Sequence, residues 1–221
     1  MNPTIAVPAD KDPDRLSGID ASTHAEFLVL ERRRGIADSA TVDEPIEVVS
    51  ADPSWPDWFK AEAARLREAL PSRVFPGIEH IGSTAVPSLG AKPIIDIMLG
   101  IASPTSLGDC LPVLERLGYE NLGIVGVPGR WTPRRRGGEH AFNISAIAFE
   151  GNRWLENLAT RQYLRTSSAA RDRYARAKHK AISQGANTLF TYSDAKRPAV
   201  EVIVAEAKMA AALQLVRPDS R

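Results

Sequence analysis

Apolar and polar positions along the chain alternate with two different periods, and the changes between them mark out the elements. Ile46 to Ser50 (IEVVS) predicts a short strand, and Asp52-Pro53-Ser54-Trp55-Pro56 then leads into a helix from Asp57 to Leu70. Trp58, Ala61, Ala64, Arg65, Leu66, Ala69 and Leu70 fit one buried stripe of that helix. Ile78 to Ile81 predicts the next strand, and Thr84 to Ala91 a turn or short helix. Pro93 to Ile101 follows as a strand whose continuous Ile, Met and Leu content suits burial on both faces.

Ser106 to Leu117 predicts a second helix ended by Gly118, whose tolerance of positive φ suits a C-terminal cap. Tyr119 to Val127 reads as extended, Arg130 to Gly138 as a basic loop, and His140 to Phe149 as a strand. The remainder is helical, over Asn152 to Thr166, Ser168 to Gln184 and Arg197 to Leu215. The expected fold class is therefore α+β: a mixed sheet packed by helices, with a helical C-terminal part.

Residues 1–45 form a separate N-terminal extension, acidic and Pro-containing, around one helical stretch from Thr23 to Arg34. Phe27, Leu28 and Leu30 give it only a narrow apolar stripe, so the arm either lies on the domain or joins a second subunit in a homodimer. Asp10, Asp12 and Asp14 imitate the start of a calcium loop, but Arg15 stands where the turn needs Gly and Ala21 where the bidentate Glu belongs. Residues 46–215 form the main domain.

Composition narrows the function classes. The 221 residues are 43% apolar, enough for a buried core, and carry 28 Lys and Arg against 27 Asp and Glu. A net charge of +1 gives no global attraction for nucleic acid or an anionic membrane, so any anion site must be local. The single cysteine, Cys110, excludes an internal disulfide and a zinc site built on several thiolates; Leu107, Leu111 and Leu114 around it predict a buried side chain. No apolar run reaches the ~20 residues needed to cross a bilayer. The N-terminal MNPTIAVPADKDPD lacks the basic-then-apolar order of a secretory signal, so a cytoplasmic location is expected.

The chemistry concentrates in EHIGSTAVPSLGAKPIIDIMLG, Glu79 to Gly100. A Gly82-Ser83 turn can bring backbone N–H groups close to phosphate oxygens, with the Ser83 or Thr84 hydroxyl as a further donor. The same turn can instead be a strand-to-helix junction with a capping Ser. Asp96, inside an apolar strand, needs a cation, a metal or a hydrogen-bond donor facing it. Lys92 lies close enough in sequence to pair with Asp96 or contact phosphate, unless it is a solvated loop residue. Strand periodicity puts Met98 where a second metal-binding carboxylate would project, and a thioether cannot hold Mg²⁺.

The Ile81-Gly82-Ser83 turn followed by Asp96-Ile97 resembles the nucleotidyltransferase-superfamily pattern, and EHIGSTAVPSLGAKPIIDIM resembles the signature of the GrpB family. The similarity extends back to IEVVSADPSWPDWFKAEAARLREAL and forward to NLATRQYLRTSSAARDRYARAKHKAI, covering roughly Ile46 to Ala210. It implies a nucleotidyltransferase-like sheet with Asp96 as catalytic residue and Mg²⁺ or Mn²⁺ as cofactor. The substrates implied are a nucleoside triphosphate and a small-molecule acceptor. Where the family usually has a His-rich strand, this chain has His140, Ala141 and Asn143, so His140 and Asn143 are the remaining candidates for metal ligands beside Asp96.

Several further residues are candidates for substrate or phosphate binding. His80 is either a proton carrier or a cross-sheet hydrogen-bond partner. Arg161 and Arg165, at i and i+4, can clamp an anion or make exposed salt bridges, and Lys178 matches a basic position of the family. Arg134 to Arg136 with Trp131 can catch a phosphate or base, or form a solvated loop. Three functions stay open on sequence: a nucleotidyl or phosphoryl transferase, acid adenylation and ligation included; a nucleotide- or phosphate-binding module without turnover; and a partner-binding adaptor.

Overall fold

The computed structural model describes residues 43–124 and 129–216. Trp55–Ala69 forms α1, Gly77–Ile81 β1, Ile94–Ile101 β2, Pro104–Arg116 α2, Glu120–Ile124 β3, Trp131–Arg135 β4 and Ala141–Ala148 β5. Asn152–Thr166, Ser168–Ser183 and Leu189–Val216 then form α3, α4 and α5. The five strands make one mixed sheet in the order β1-β2-β5-β4-β3, in which β2 and β5 run parallel and the other neighbours antiparallel. The fold is α+β with a helical C-terminal part, as the hydrophobic pattern predicts. The expected N-terminal helix lies outside the described residues.

Period-two alternation gives β2 two different faces. Ile95, Ile97, Leu99 and Ile101 join Phe142, Ile144 and Ala146 of β5 and pack against α1 and α2 through Trp55, Leu66, Cys110 and Leu114. On the opposite face Met98 packs with Ile81, Ile147 and Trp154 of α3. Leu164 of α3, Ala170 of α4 and Ile203 of α5 form a further cluster with Val86 and Leu89. The segment following the Gly-Ser bend is thereby docked into the helical layer. Cys110 is fully buried in α2, and burial pushes its thiol up to about 11.

Four expectations are corrected. Ile46 to Ser50 is a connector, not a strand: Val49 makes an isolated bridge to Ala91 and Ile46 donates its N–H to the Asn187 carbonyl. The buried stripe of α1 is shifted, since Ala61 and Ala64 are exposed while Glu62 and Ala63 are buried. The Arg130 to Gly138 segment is not a loop throughout, because β4 runs through it and its arginines find carboxylates. Arg134 pairs with Glu44 at 2.7 Å, Arg135 with Glu62 at 2.7 Å and Arg136 with Glu120 at 2.6 Å. Finally, α5 starts at Leu189, before the expected Arg197, and continues through Pro198.

Glu62 explains the shifted stripe. It is only 4% exposed, and it accepts a hydrogen bond from the Tyr119 hydroxyl at 2.8 Å as well as the Arg135 bond. Arg135 also lies over the Phe142 ring, 4.6 Å from its centroid, so one carboxylate ties α1 to Tyr119 just before β3 and to Arg135 at the end of β4. Removing one partner from a buried charge pair leaves the other uncompensated. Glu62→Ala is expected to cost about 3 kcal/mol in a urea titration, with Glu62→Gln recovering part by keeping the Tyr119 bond. A loss below about 0.5 kcal/mol for Glu62→Ala, the range of ordinary surface changes, would show that this carboxylate does not anchor the helix.

Candidate functional site

Strand register builds the site. Ile81 of β1 pairs with Asp96 of β2, Asp96 pairs with Asn143 of β5, and Asn143 pairs with Arg134 of β4. These four residues form one row across the sheet, on the face covered by the C-terminal helices. The chain leaves β1 immediately after Ile81, so Gly82 turns directly beside the Asp96 carboxylate. Its φ of +71° is left-handed, and a Cβ there would collide with an Asp96 carboxylate oxygen and lie 3.0 Å from Asp96 Cγ. Glycine is required twice over, by backbone conformation and by contact.

Above this row lies a crevice of about 350 Å³. Its floor includes Gly82, Asp96, Asn143, Ser145 and Arg130, and its walls include Arg153, Asn157, Thr160 and Arg161 of α3 with Val200, Ile203 and Val204 of α5. Asn143 Nδ2 donates to Asp96 Oδ1 at 3.0 Å, while the buried Asn143 Oδ1 has no hydrogen-bond partner. Asp96 acts electrostatically on Lys92, Lys178, Arg130 and Arg134, favouring the charged form of each. Among the described residues it lines the crevice with one other carboxylate, Glu156, and with the cationic Arg130, Arg153 and Arg161.

Most of the other candidates hold the bend in place. Lys178, 2% exposed, donates to Ser83 Oγ and to the Gly90 carbonyl, both at 2.7 Å, and lies 4.4 Å from the centroid of the Tyr174 ring. Arg161 donates to Glu79 and to the His80 carbonyl, both at 2.7 Å, and Arg165 donates to the Ala85 carbonyl at 2.9 Å. His80 Nε2 and Thr84 Oγ1 share a hydrogen bond at 3.0 Å. Three basic side chains from α3 and α4 therefore clamp residues 79–90. Among the sequence candidates, Gly82, Asp96, Asn143 and Arg161 line the crevice.

His140 does not join Asp96. Its ring stacks on Trp58 of α1 with centroids 3.6 Å apart, on the opposite side of the sheet. Among the described residues no three His, Cys, Asp or Glu side chains converge to hold a metal. Asp96 receives an amide nitrogen from Asn143, where a metal would need an oxygen. Of the three residues expected to hold a metal, Asp96 alone therefore presents an oxygen ligand suited to a hard divalent cation in this arrangement. Met98 is fully buried on the same face, filling the place of a second carboxylate.

Burial shapes the titration of the surrounding bases. It pushes Lys178 down to about 7 and Lys92 down to about 8; in each case Lys196 adds repulsion and Asp96 opposes the shift. Arg130 and Arg134 are lowered by the same loss of solvent. Sequence reasoning missed Arg130, Arg153, Asn157 and Thr160 as crevice residues. The i, i+4, i+7 spacing on α3 was available as a signal, but nothing in the sequence showed that this face would cover a cavity rather than meet solvent.

This geometry defines an α+β protein with a cationic crevice between a mixed sheet and a helical layer. The chain belongs to the GrpB family, whose model, described as GrpB protein, matches residues 45–206. It is 34% identical over 164 residues to a UPF0157 protein of Halalkalibacterium halodurans, covering 73% of this chain and 82% of that one. The solved structure of the conserved protein GrpB from Enterococcus faecalis superposes with a TM-score of 0.64 at 30% identity, covering 73% of this chain and 96% of the other. A segment of 81 residues is 37% identical to part of a Mycobacterium tuberculosis dephospho-CoA kinase, over 20% of that protein. Among the described residues no helix is long and apolar enough to cross a membrane.

His80 supplies a test of this environment. Only 6% exposed and stacked on Phe59, it is pushed by burial down to about 4, and nearby Arg165 and Arg161 also oppose its charge. The unfolded chain therefore takes up the proton first as the pH falls below the ordinary histidine range. Stability is complete above about pH 6.5 and is lost progressively toward pH 4. Between about pH 7.5 and pH 5 the wild type should lose about 2 kcal/mol more than His80→Gln, measured by urea unfolding. Parallel pH profiles for the two proteins would contradict a neutral buried imidazole.

Proposed function

We propose that the crevice binds a phosphorylated ligand of nucleotide size, in the manner of a nucleotidyltransferase-like scaffold. One observation carries the reading: the exposed Gly82 backbone and the Asp96 carboxylate share a single cavity with the guanidinium-bearing Arg130, Arg153 and Arg161. Guanidinium groups match phosphate oxygens through paired N–H donors, and a glycine lets the ligand approach the backbone closely. Lys178, Arg165 and Arg161 support this reading by holding the bend rigid from behind. Binding in such a site uses protein cations in place of a divalent ion.

Turnover is a second reading, favoured by Asp96 itself. A carboxylate repels phosphate, so its presence in a cationic crevice suits a group that positions or deprotonates an acceptor during nucleotidyl or phosphoryl transfer. The two readings diverge on substitution. Isothermal titration with pyrophosphate and ATP, with and without Mg²⁺, should show binding without the metal and about tenfold tighter binding by Asp96→Asn, because a negative charge is removed. Metal-dependent consumption of ATP by the wild type, followed by ³¹P NMR and lost in Asp96→Asn, would instead establish the transferase. Unchanged binding and consumption in Asp96→Asn would remove Asp96 from the site.

A further inference from the structure

One apolar face of α5 has no partner among the described residues. Ile203 and Ala207 are buried on the inner side of the helix, whereas Val202, Met209 and Leu213 are 54%, 60% and 67% exposed. Ala205 and Ala212 are exposed between them. Val202, Ala205, Met209 and Ala212 follow one another at spacings of three and four, the a/d rhythm of a seam between two packed helices. The alanines leave room between the larger side chains for the knobs of a second helix.

The chain itself supplies a matching segment. Thr23 to Arg34 has helical spacing and a narrow apolar stripe of Phe27, Leu28 and Leu30, and a helix this short is marginal in water without a surface to pack on. The chain that follows it is fastened at the start of α5: Asp43 accepts the Phe190 N–H at 2.9 Å, and the Glu44 carbonyl accepts the Leu189 N–H at 2.8 Å. Along the helix axis Val202 lies about 18 Å from Phe190, and Met209 about 28 Å. Residues 35–42 span up to about 30 Å when extended, so the seam is within their reach.

We propose that residues 23–34 dock on this seam of their own chain, antiparallel to α5. In that orientation Leu30 meets Val202, Phe27 enters the gap at Ala205, and Arg32 to Arg34 come within a turn of Glu201. Glu201 is exposed and has no ion-pair partner among the described residues, so the charges are complementary. The rival occupant is the α5 seam of a second copy. Three large side chains and two alanines offer much less than the ~800 Å² per partner of a stable complex. A tethered segment manages with less area, because its linker keeps it at a high effective concentration. The docking is independent of the phosphate reading, since none of the seam residues lines the crevice.

The test is hydrogen exchange of the full chain, followed by mass spectrometry, with sedimentation velocity at two protein concentrations. Amides of residues 23–34 should exchange at least about tenfold more slowly in the wild type than in Met209→Glu or Phe27→Asp, at a rate independent of concentration and in a monomer. Ile182→Glu, at an exposed apolar position off the seam, should leave their exchange unchanged. Amides of β2 and β5 report whether the domain stays folded, and Phe27→Asp tests the contact without altering the domain. Exchange of residues 23–34 in the wild type as fast as in an unstructured peptide, no acceleration in Phe27→Asp, or equal acceleration by Ile182→Glu would overturn the docking. Protection that grows with concentration alongside a sedimenting dimer would overturn it as well, and would give the seam to a second copy.

Discussion

The pairing of Ile81 with Asp96 determines where the chain turns and what it meets there. Because β1 ends at that pair, the next residue bends over the carboxylate of the neighbouring strand, and only a residue without a Cβ fits. A one-residue slip in the register would send Asp96 into the apolar face among Ile95, Ile97 and Phe142. Correct pairing of β1 with β2 is thus also the condition for the crevice. Burial of the opposite face against α1 and α2 enforces it, since slippage would expose the largest core cluster.

The C-terminal helices then act on the bend from two sides. Val86 and Leu89 insert into the cluster of Leu164, Ala170 and Ile203, while Lys178, Arg161 and Arg165 fasten residues 79–90 by hydrogen bonds to backbone carbonyls and side chains. Burying Lys178 is costly for its charged form, which is why its ammonium loses its proton more easily than usual. The two hydrogen bonds and the Tyr174 face offset part of that cost. Basic groups that looked like ligand contacts serve first to make a rigid rim. A rim with few accessible conformations loses less entropy when an anion arrives.

Periodicity made most elements legible. β2 was evident from its continuous apolar run, and α3 from its boundaries at Asn152 and Thr166. The buried stripe of α1 was misread because Glu62 points inward, and no single-sequence rule anticipates a buried acid whose partners, Tyr119 and Arg135, lie far along the chain. β4 was hidden for the same reason: its Arg134 and Arg135, and Arg136 just after it, look solvated until Glu44, Glu62 and Glu120 are brought to them. At the site, the adjacency of Gly82 and Asp96 was readable from motif spacing. The side of the sheet taken by His140 was not, because it depends on the strand register near the start of β5 and on the Trp58 ring that covers it. Arg130 and Arg153 escaped notice because a cavity wall is a property of three helices meeting a sheet, which no local pattern encodes.

The most direct measurement is the difference electron density of crystals soaked with pyrophosphate. The account predicts density over Gly82, inside the crevice and within hydrogen-bonding reach of Arg130 or Arg153, with the Asp96 to Asn143 contact retained. Density confined to another surface, with the crevice filled by water alone, would contradict it.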